Sequence, residues 1–417
     1  MKRIAHIATL ILAGELIFSL PFHTARFFRP TLLAAFGFTN TQLGDAFAVY
    51  GVTAMLAYFP GGALADRISA RKLMSLSLFA TAAGGLFMAT YPAMLPMALL
   101  YGYWGITTIL LFWGALIRAT REWGGRQSQG VAFGVLDGGR GLIAAGVAMT
   151  AVALLAGHLD SGAGSIDPAA RRVGFRAVIL LYTAATAACG LLVWFLLPHS
   201  PSDPSPGPAR DRGRMWRNMG EVLRQPTVWG QAGVIVCAYC AFKGLDNYSL
   251  YAVQALGMDE VEAARLTAWG SYLRPVAAVL TGIAADRYSA RRLIALSFAA
   301  LVVFYGVLAF AVPSPGWRQV IFVNLFGSFF CVFALRGVYF ALLEETGTPR
   351  HLTGTTVGAV SFLGYTPEVF FAPLTGRILD QAPGLPGLQH YFALLAAIAV
   401  IGLLVVSWLR RLGRSAD

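Results

Sequence analysis

Twelve apolar runs, each about twenty residues long, constrain this chain more than any other feature. They fall at 7–28, 43–64, 72–91, 94–117, 131–156 and 174–197, then at 227–253, 262–284, 291–312, 318–343, 354–378 and 389–409. A run of that length crosses a hydrocarbon layer of about 30 Å as a helix. Lipid offers no water to an open backbone N–H or C=O, so a self-bonded helix is the economical conformation. The expected fold class is all-α integral membrane, with twelve transmembrane helices. Only 12% of the residues are charged, about half the roughly 25% of soluble domains.

The net charge of +12 is distributed by topology. Of the 32 Lys and Arg, 20 fall in the termini and the even-numbered loops, five in the opposite loops, and seven in or at the ends of the runs. Basic residues stay on the cytoplasmic side of short loops. Both termini are therefore expected in the cytoplasm, and a nucleic-acid patch is excluded as the source of the charge.

The first six runs and the last six are related. Gly62-Ala-Leu-Ala-Asp66-Arg67-Ile-Ser-Ala-Arg71-Lys72-Leu-Met74 returns 220 residues later as Gly282-Ile-Ala-Ala-Asp286-Arg287-Tyr-Ser-Ala-Arg291-Arg292-Leu-Ile294. Eight of the thirteen positions are identical. The same offset places Asp160 on Asp380 and, in the first helix of each half, His23 on Lys243 and Arg26 on Asp246. Repetition at a fixed period marks a chain built from equivalent units. The domains expected are a six-helix bundle over 1–198, a proline-rich basic linker over 199–225 and a second bundle over 226–417.

This hinge resembles the signature of the major facilitator superfamily (MFS), Gly-x-Leu-Ala-Asp-Arg-x-Gly-x-Arg-Arg/Lys between helices 2 and 3. It stands at both places where that family carries it, with Ser69 and Ser289 where a Gly is usual. The resemblance implies two pseudo-symmetric bundles with substrate bound between them near the midplane. It also implies gating loops in which Gly62, Asp66, Arg67 and Arg71, and Gly282, Asp286, Arg287 and Arg291, latch the halves on the inner side. Gly62 would let helices approach closely. The segment from Ala25 to Gly44 looks, more weakly, like the organophosphate/phosphate antiporter branch. That branch's helix-1 arginine would fall near Phe22 and does not carry over to Arg26.

A charge at bilayer depth costs roughly 2.5–3.5 kcal/mol on insertion scales, so each one calls for a partner or a wet cavity. Asp137 and Arg140 share a helix face and are expected to form a buried pair; Lys243 and Asp246 have the same spacing. Arg274 has no acid three or four residues away. Its planar fork suits a carboxylate or phosphate, unless it bridges to Glu368. Arg26, Lys243 and Arg274, with the aromatics Tyr101, Trp104 and Tyr248, are the candidate substrate-binding residues. Glu15, Asp246 and Glu368 are the candidate proton-coupling carboxylates. Pro367 should loosen helix 11 beside Glu368. Gly134, Gly138, Gly139, Gly141 and Gly146 read as a close-packing face of helix 5.

Cys237 and Cys240 have redox or metal spacing but no matching pair, so no metal or cofactor is expected. There is no nucleophile elbow, phosphate loop or metal-ligand pattern, which argues against an enzyme. The function expected is a secondary active transporter of the inner membrane, working by alternating access on a small polar solute. An organic anion fits best, coupled to protons or to a counter-solute. The partners are that solute and the lipid bilayer, with no nucleic acid, and the protein is expected to be a monomer. The alternatives are an exporter of amphiphilic compounds and a solute sensor of the same fold.

Overall fold

The computed structural model describes residues 2–125, 129–159, 167–198, 220–342 and 353–414. Within them all twelve apolar runs are helical, and no strand occurs among the described residues. The first run is α1 (Lys2–Leu16), a π-helical turn over Ser19–His23 and α2 (Thr24–Phe27), followed by α3 (Arg29–Phe36). Next come α4 (Asn40–Arg67), α5 (Ala70–Met88), α6 (Met94–Gly105), which a second π segment joins to α7 (Gly114–Gly124), α8 (Gln129–Ala156) and α9 (Pro168–Leu196). The second half has α10 (Pro226–Gly244), α11 (Tyr248–Gln254), α12 (Glu260–Ser271), α13 (Leu273–Arg287) and α14 (Ala290–Phe310). It ends with α15 (Arg318–Val338), α16 (Thr353–Gly364), α17 (Pro367–Gln381) and α18 (Leu385–Arg414).

Eight helices are long and apolar enough to cross a membrane among the described residues, and ten if each of two bent pairs is one span. The runs expected at 72–91 and 262–284 are helical but fall outside those ten. The first begins with Arg71 and Lys72, which shortens its apolar length; the second is broken at Tyr272. The first bent pair turns by 42° between α1 and the Ser19–Phe27 stretch. Pro21 explains it, since the ring has no N–H to donate and crowds the preceding turn. Local hydroxyls satisfy the carbonyl at that break. Ser19 Oγ donates to Leu16 O at 2.6 Å and Thr186 Oγ1 to the same oxygen at 3.1 Å.

Two compact units emerge. Unit 1 is Met1–Pro204, Asp246–Pro275 and Ala372–Asp380; unit 2 is Ser205–Leu245, Val276–Phe371 and Gln381–Asp417. In unit 1, glycines set the crossing of α4 with α17. A Cβ on Gly44 would lie 2.4 Å from Ala372 O, and one on Gly376 would lie 2.5 Å from Asn40 O. No larger residue fits backbone contact of that kind. Asp380 then closes the start of α4, accepting from Asn40 N at 3.1 Å, Asn40 Nδ2 at 3.0 Å and Thr41 N at 2.7 Å. The Thr39–Gln42 capping box finishes that terminus. At the other edge, Ala264 and Ala268 of α12 are wholly buried in one core cluster with Ala148 and Ala151 of α8. Aliphatic surface gains little by leaving lipid, so close approach of small residues holds such crossings.

In unit 2, Tyr391 Oη donates to Gly244 O at 2.7 Å, where α10 ends. Gly402 of α18 lies against the Phe298 ring of α14, with its Cβ position 2.6 Å from the ring.

Two glycine expectations need correcting. A Cβ on Gly62 or Gly282 meets nothing within 4 Å; the close approach falls one residue earlier, on Gly61, at 3.1 Å from Ile109 O. On α8, Gly134, Gly138 and Gly146 face open space, whereas Gly139 meets Ile11 at 2.6 Å and Gly141 meets Arg274 at 3.0 Å. Helical spacing puts the five glycines on more than one face, so they do not form a single packing stripe.

Candidate functional site

Most of the charged candidates stand at helix breaks. Glu15 ends α1, His23 and Arg26 flank the junction of the π turn with α2, Lys243 lies at the end of α10, and Asp246 lies within the short 3₁₀ turn Leu245–Asn247. Arg274 opens α13 and Glu368 opens α17, just after Pro367, so helix 11 is interrupted where the proline stands. A break exposes backbone dipoles that accommodate charge, and irregular backbone at membrane depth is tolerated where it serves a protein interior or cavity. Glu368 gains most, since a helix N-terminus favours an anion in its first turn.

Unit 1 gathers five of these groups. Glu15 is 4% exposed. Its Oε2 accepts from Arg140 Nε at 2.9 Å, and its Oε1 lies 3.2 Å from His23 Nε2 and 3.5 Å from Arg274 Nη1. The other terminal nitrogen of Arg274, Nη2, reaches Asp137 Oδ1 at 2.5 Å. Arg274 thus spans two carboxylates with one planar fork, the geometry that distinguishes arginine from lysine. Glycines make room for both arginines. The Cβ position of Gly14 is 3.3 Å from Arg140 Cδ, and that of Gly141 is 3.0 Å from Arg274 Cβ and Pro275 Cδ. With two carboxylates and two guanidiniums the formal charges cancel, leaving the state of His23 to decide the sum. The Asp137 side chain is 40% exposed, so the cluster has an open edge.

Beside this cluster, Arg26 Nε donates to Asp246 Oδ1 at 2.6 Å. These two positions are equivalent under the 220-residue offset, so the repeat pairs with itself. Ser249 Oγ donates to Arg26 O at 3.2 Å. Arg29, a residue absent from the expected site, is buried and donates from Nε to Asn40 Oδ1 at 3.0 Å.

Unit 2 holds a smaller site. Glu368 takes Lys243 Nζ on Oε2 at 3.1 Å and the Tyr239 hydroxyl on Oε1 at 2.9 Å. The Tyr239 ring lies edge-on to Tyr365 at 5.0 Å, and Arg336 lies 4.0 Å over the Phe242 ring.

The sequence-based pairings are thus redistributed. Asp137 and Arg140 each have a salt bridge on another helix, as do Lys243 and Asp246. Arg274 bridges to Glu15 and Asp137 in place of the alternative contact with Glu368. Tyr101 and Trp104 are wholly buried in unit 1, 5.3 Å apart, and the Trp104 indole donates to Thr81 O at 3.1 Å. Tyr248 is also wholly buried.

The hinge residues Asp66, Arg67 and Arg287 are exposed, and Arg71 stands 5.0 Å over Trp194. Gly282, Asp286 and Arg291 lie in or beside the matching hinge between α13 and α14; the side chain of Asp286 and residue Asp160 lie outside the described residues, as does 199–219 of the linker. Two groups were missed: Tyr239, whose only signal is a tyrosine one turn before Lys243, and His23, marked by the repeat but given no role.

Apolar helices long enough to cross a bilayer, with charges buried at their breaks, describe a multi-pass membrane protein. The family model of the Major Facilitator Superfamily matches residues 11–366. The chain belongs to that superfamily; it is a secondary transporter of the inner membrane and not an enzyme. It is 26% identical to "Inner membrane protein YqcE" of Escherichia coli K12 over 375 residues, 89% of this chain and 85% of that protein. It is 30% identical over 284 residues to "Probable nitrate/nitrite antiporter NarK1" of Thermus thermophilus, which covers 66% of this chain and 59% of that one. The fold is also that of the nucleoside transporter NupG, with a TM-score of 0.71 at 12% identity, covering 98% of this chain and 98% of the other.

Proposed function

We propose that this transporter moves a small organic anion by alternating access, with both termini in the cytoplasm. The observation that carries this reading is the convergence of Arg140 and Arg274 on Glu15 inside unit 1. Two guanidiniums meeting at one buried carboxylate form a ready anion site, because their forks are already desolvated and aimed at carboxylate oxygens and can exchange a protein carboxylate for a substrate one. Asp137, at the cluster's open edge, is the partner most easily exchanged. The name of the Thermus relative, a nitrate/nitrite antiporter, agrees with an anionic substrate. The basic excess in the even-numbered loops supports the orientation. The sequence halves 1–198 and 226–417, joined by 199–225, are the proposed moving bodies, and the hinge residues their inner latch. Coupling runs through protons or a counter-solute, and the protein acts as a monomer.

Reconstituted in liposomes, the protein should accumulate a labelled anion when a pH or counter-anion gradient is imposed. Arg274→Gln should abolish that accumulation. Uptake that survives this change, or tight binding with no flux in the wild type, would overturn the reading.

A further inference from the structure

His23 lies beside the anion site without a part in it so far. Its Nε2 is 3.2 Å from Glu15 Oε1, and Arg274 Nη1 is 3.5 Å from that same oxygen. Arg140 holds the other oxygen, Oε2. The imidazole and the Arg274 guanidinium therefore compete for one acceptor. Around the ring stand Glu15 on its own helix, Arg26 a turn further on, Arg274 from α13, and the Tyr182 ring of α9 at 6.2 Å; Arg140 of α8 lies behind Glu15. The Phe27 ring closes the remaining side at 5.4 Å. His23 is 5% exposed, so a charge placed on it has little water to shield it.

We propose that His23 is the proton-loading residue of the anion site, so that one proton and one anion bind together. This rests on the anion reading above and goes beyond it by naming the coupled ion and its seat. With His23 neutral, Glu15, Asp137, Arg140 and Arg274 sum to zero and the site is closed on itself. A proton on His23 adds one uncompensated positive charge and strengthens the imidazole's claim on Glu15 Oε1. Arg274 is then loosened from that oxygen, and an incoming anion both neutralises the excess and takes the freed guanidinium. By linkage, an anion that favours the protonated histidine must raise its proton occupancy by the same factor. The sign follows: affinity is highest at low pH and falls as pH rises through the titration of His23.

The test is calorimetric binding of nitrate, lactate, succinate and glucuronate, each measured separately, to the protein in phosphatidylcholine nanodiscs between about pH 5.5 and 8. At least one anion should bind to the wild type, and its Kd should rise with pH by up to about tenfold per unit. His23→Gln keeps a neutral donor on Glu15; it should bind the same anion with a flat pH profile at the weak, high-pH affinity. Glu122→Gln, on the exposed Arg118–Glu122 pair, should keep the wild-type slope. A wild-type slope in His23→Gln overturns the role of His23 and leaves the anion reading standing. No binding by any of the four anions to the wild type overturns the anion reading and the coupling with it.

Discussion

The two buried charge sites share one position of the repeat and differ in their chemistry. His23 and Lys243 are equivalent, and each stands on a glutamate, Glu15 at 3.2 Å and Glu368 at 3.1 Å. The glutamates are not equivalent. Glu15 comes from the same apolar run as His23, across the bend, whereas Glu368 comes from α17, far in the chain from Lys243 on α10. What the repeat preserves is the place of a basic side chain beside a helix break, and each half has found its own acid. The first site is the larger: Arg140 and Arg274 also stand on Glu15, and Asp137 pairs with Arg274. The second stayed a lysine, a carboxylate and a tyrosine hydroxyl.

The difference matters because arginine keeps its proton under almost any burial, while a lysine left without its partner has an escape in releasing one. Glu15→Gln should therefore have the largest effect of any single change, since it removes the negative charge shared by two guanidiniums and turns one of the two accepting oxygens into a donor. Breaking a buried pair from one side costs roughly 3–5 kcal/mol, and thermal unfolding in nanodiscs should show a loss of that order with transport at background. Glu368→Gln should cost less, about 1–3 kcal/mol. Equal losses in the two variants would erase the contrast drawn between the sites.

A step smaller is Arg274→Lys. The ammonium is a point charge and spans Glu15 and Asp137 less well than the fork does. Anion affinity should fall by about ten- to a hundredfold, roughly 1.4–2.8 kcal/mol, while the fold survives. Unchanged affinity would mean that Arg274 serves only as a charge, as Lys243 does.

Much of this is legible from residue types alone. Twelve apolar runs dictate helices because lipid satisfies no backbone group, and the 220-residue offset leads directly to Arg26 and Asp246. The pairings are not legible. Three-residue spacing suggests that Asp137 meets Arg140 and Lys243 meets Asp246, since neighbours on a helix face are the only partners sequence can see. The break at Leu245–Asn247 interrupts the spacing of Lys243 and Asp246, and periodicity does not register a break; Asp137 and Arg140 stay on the continuous α8 and take salt bridges from other helices, which spacing along one helix cannot show. Glycine roles are hidden for a related reason. Whether Gly61 or Gly62 faces a neighbour depends on helix rotation, about 100° per residue, which hydropathy over a long apolar run does not fix. Tyr101 and Trp104 suit a cavity lining by type, but aromatics equally fill the core of a bundle, and these two are wholly buried there.

The contrast can also be sharpened from the smaller site. If Lys243 and Glu368 serve chiefly each other, Lys243→Met with Glu368→Gln should be milder than the sum of the two single changes, with a coupling energy of about 1–3 kcal/mol. The first site should resist such rescue: Arg140→Met added to Glu15→Gln still leaves Arg274 and His23 facing an uncharged amide in place of their shared carboxylate. The smallest effect expected is Tyr239→Phe. It removes one hydroxyl that donates to Glu368 Oε1 at 2.9 Å and leaves the ring beside Tyr365 intact. A hydrogen bond to a charged group contributes about 1.5–3 kcal/mol at most, and a neutral one about 0.5–1.5 kcal/mol. With Lys243 still holding Oε2, the loss in thermal stability should sit near the lower figure. In the Glu368→Gln background the same change should cost less still, because the acceptor is no longer an anion. A Tyr239→Phe penalty that is the same in both backgrounds would mean the hydroxyl answers to something other than the carboxylate, and the smaller site would have to be redrawn around it.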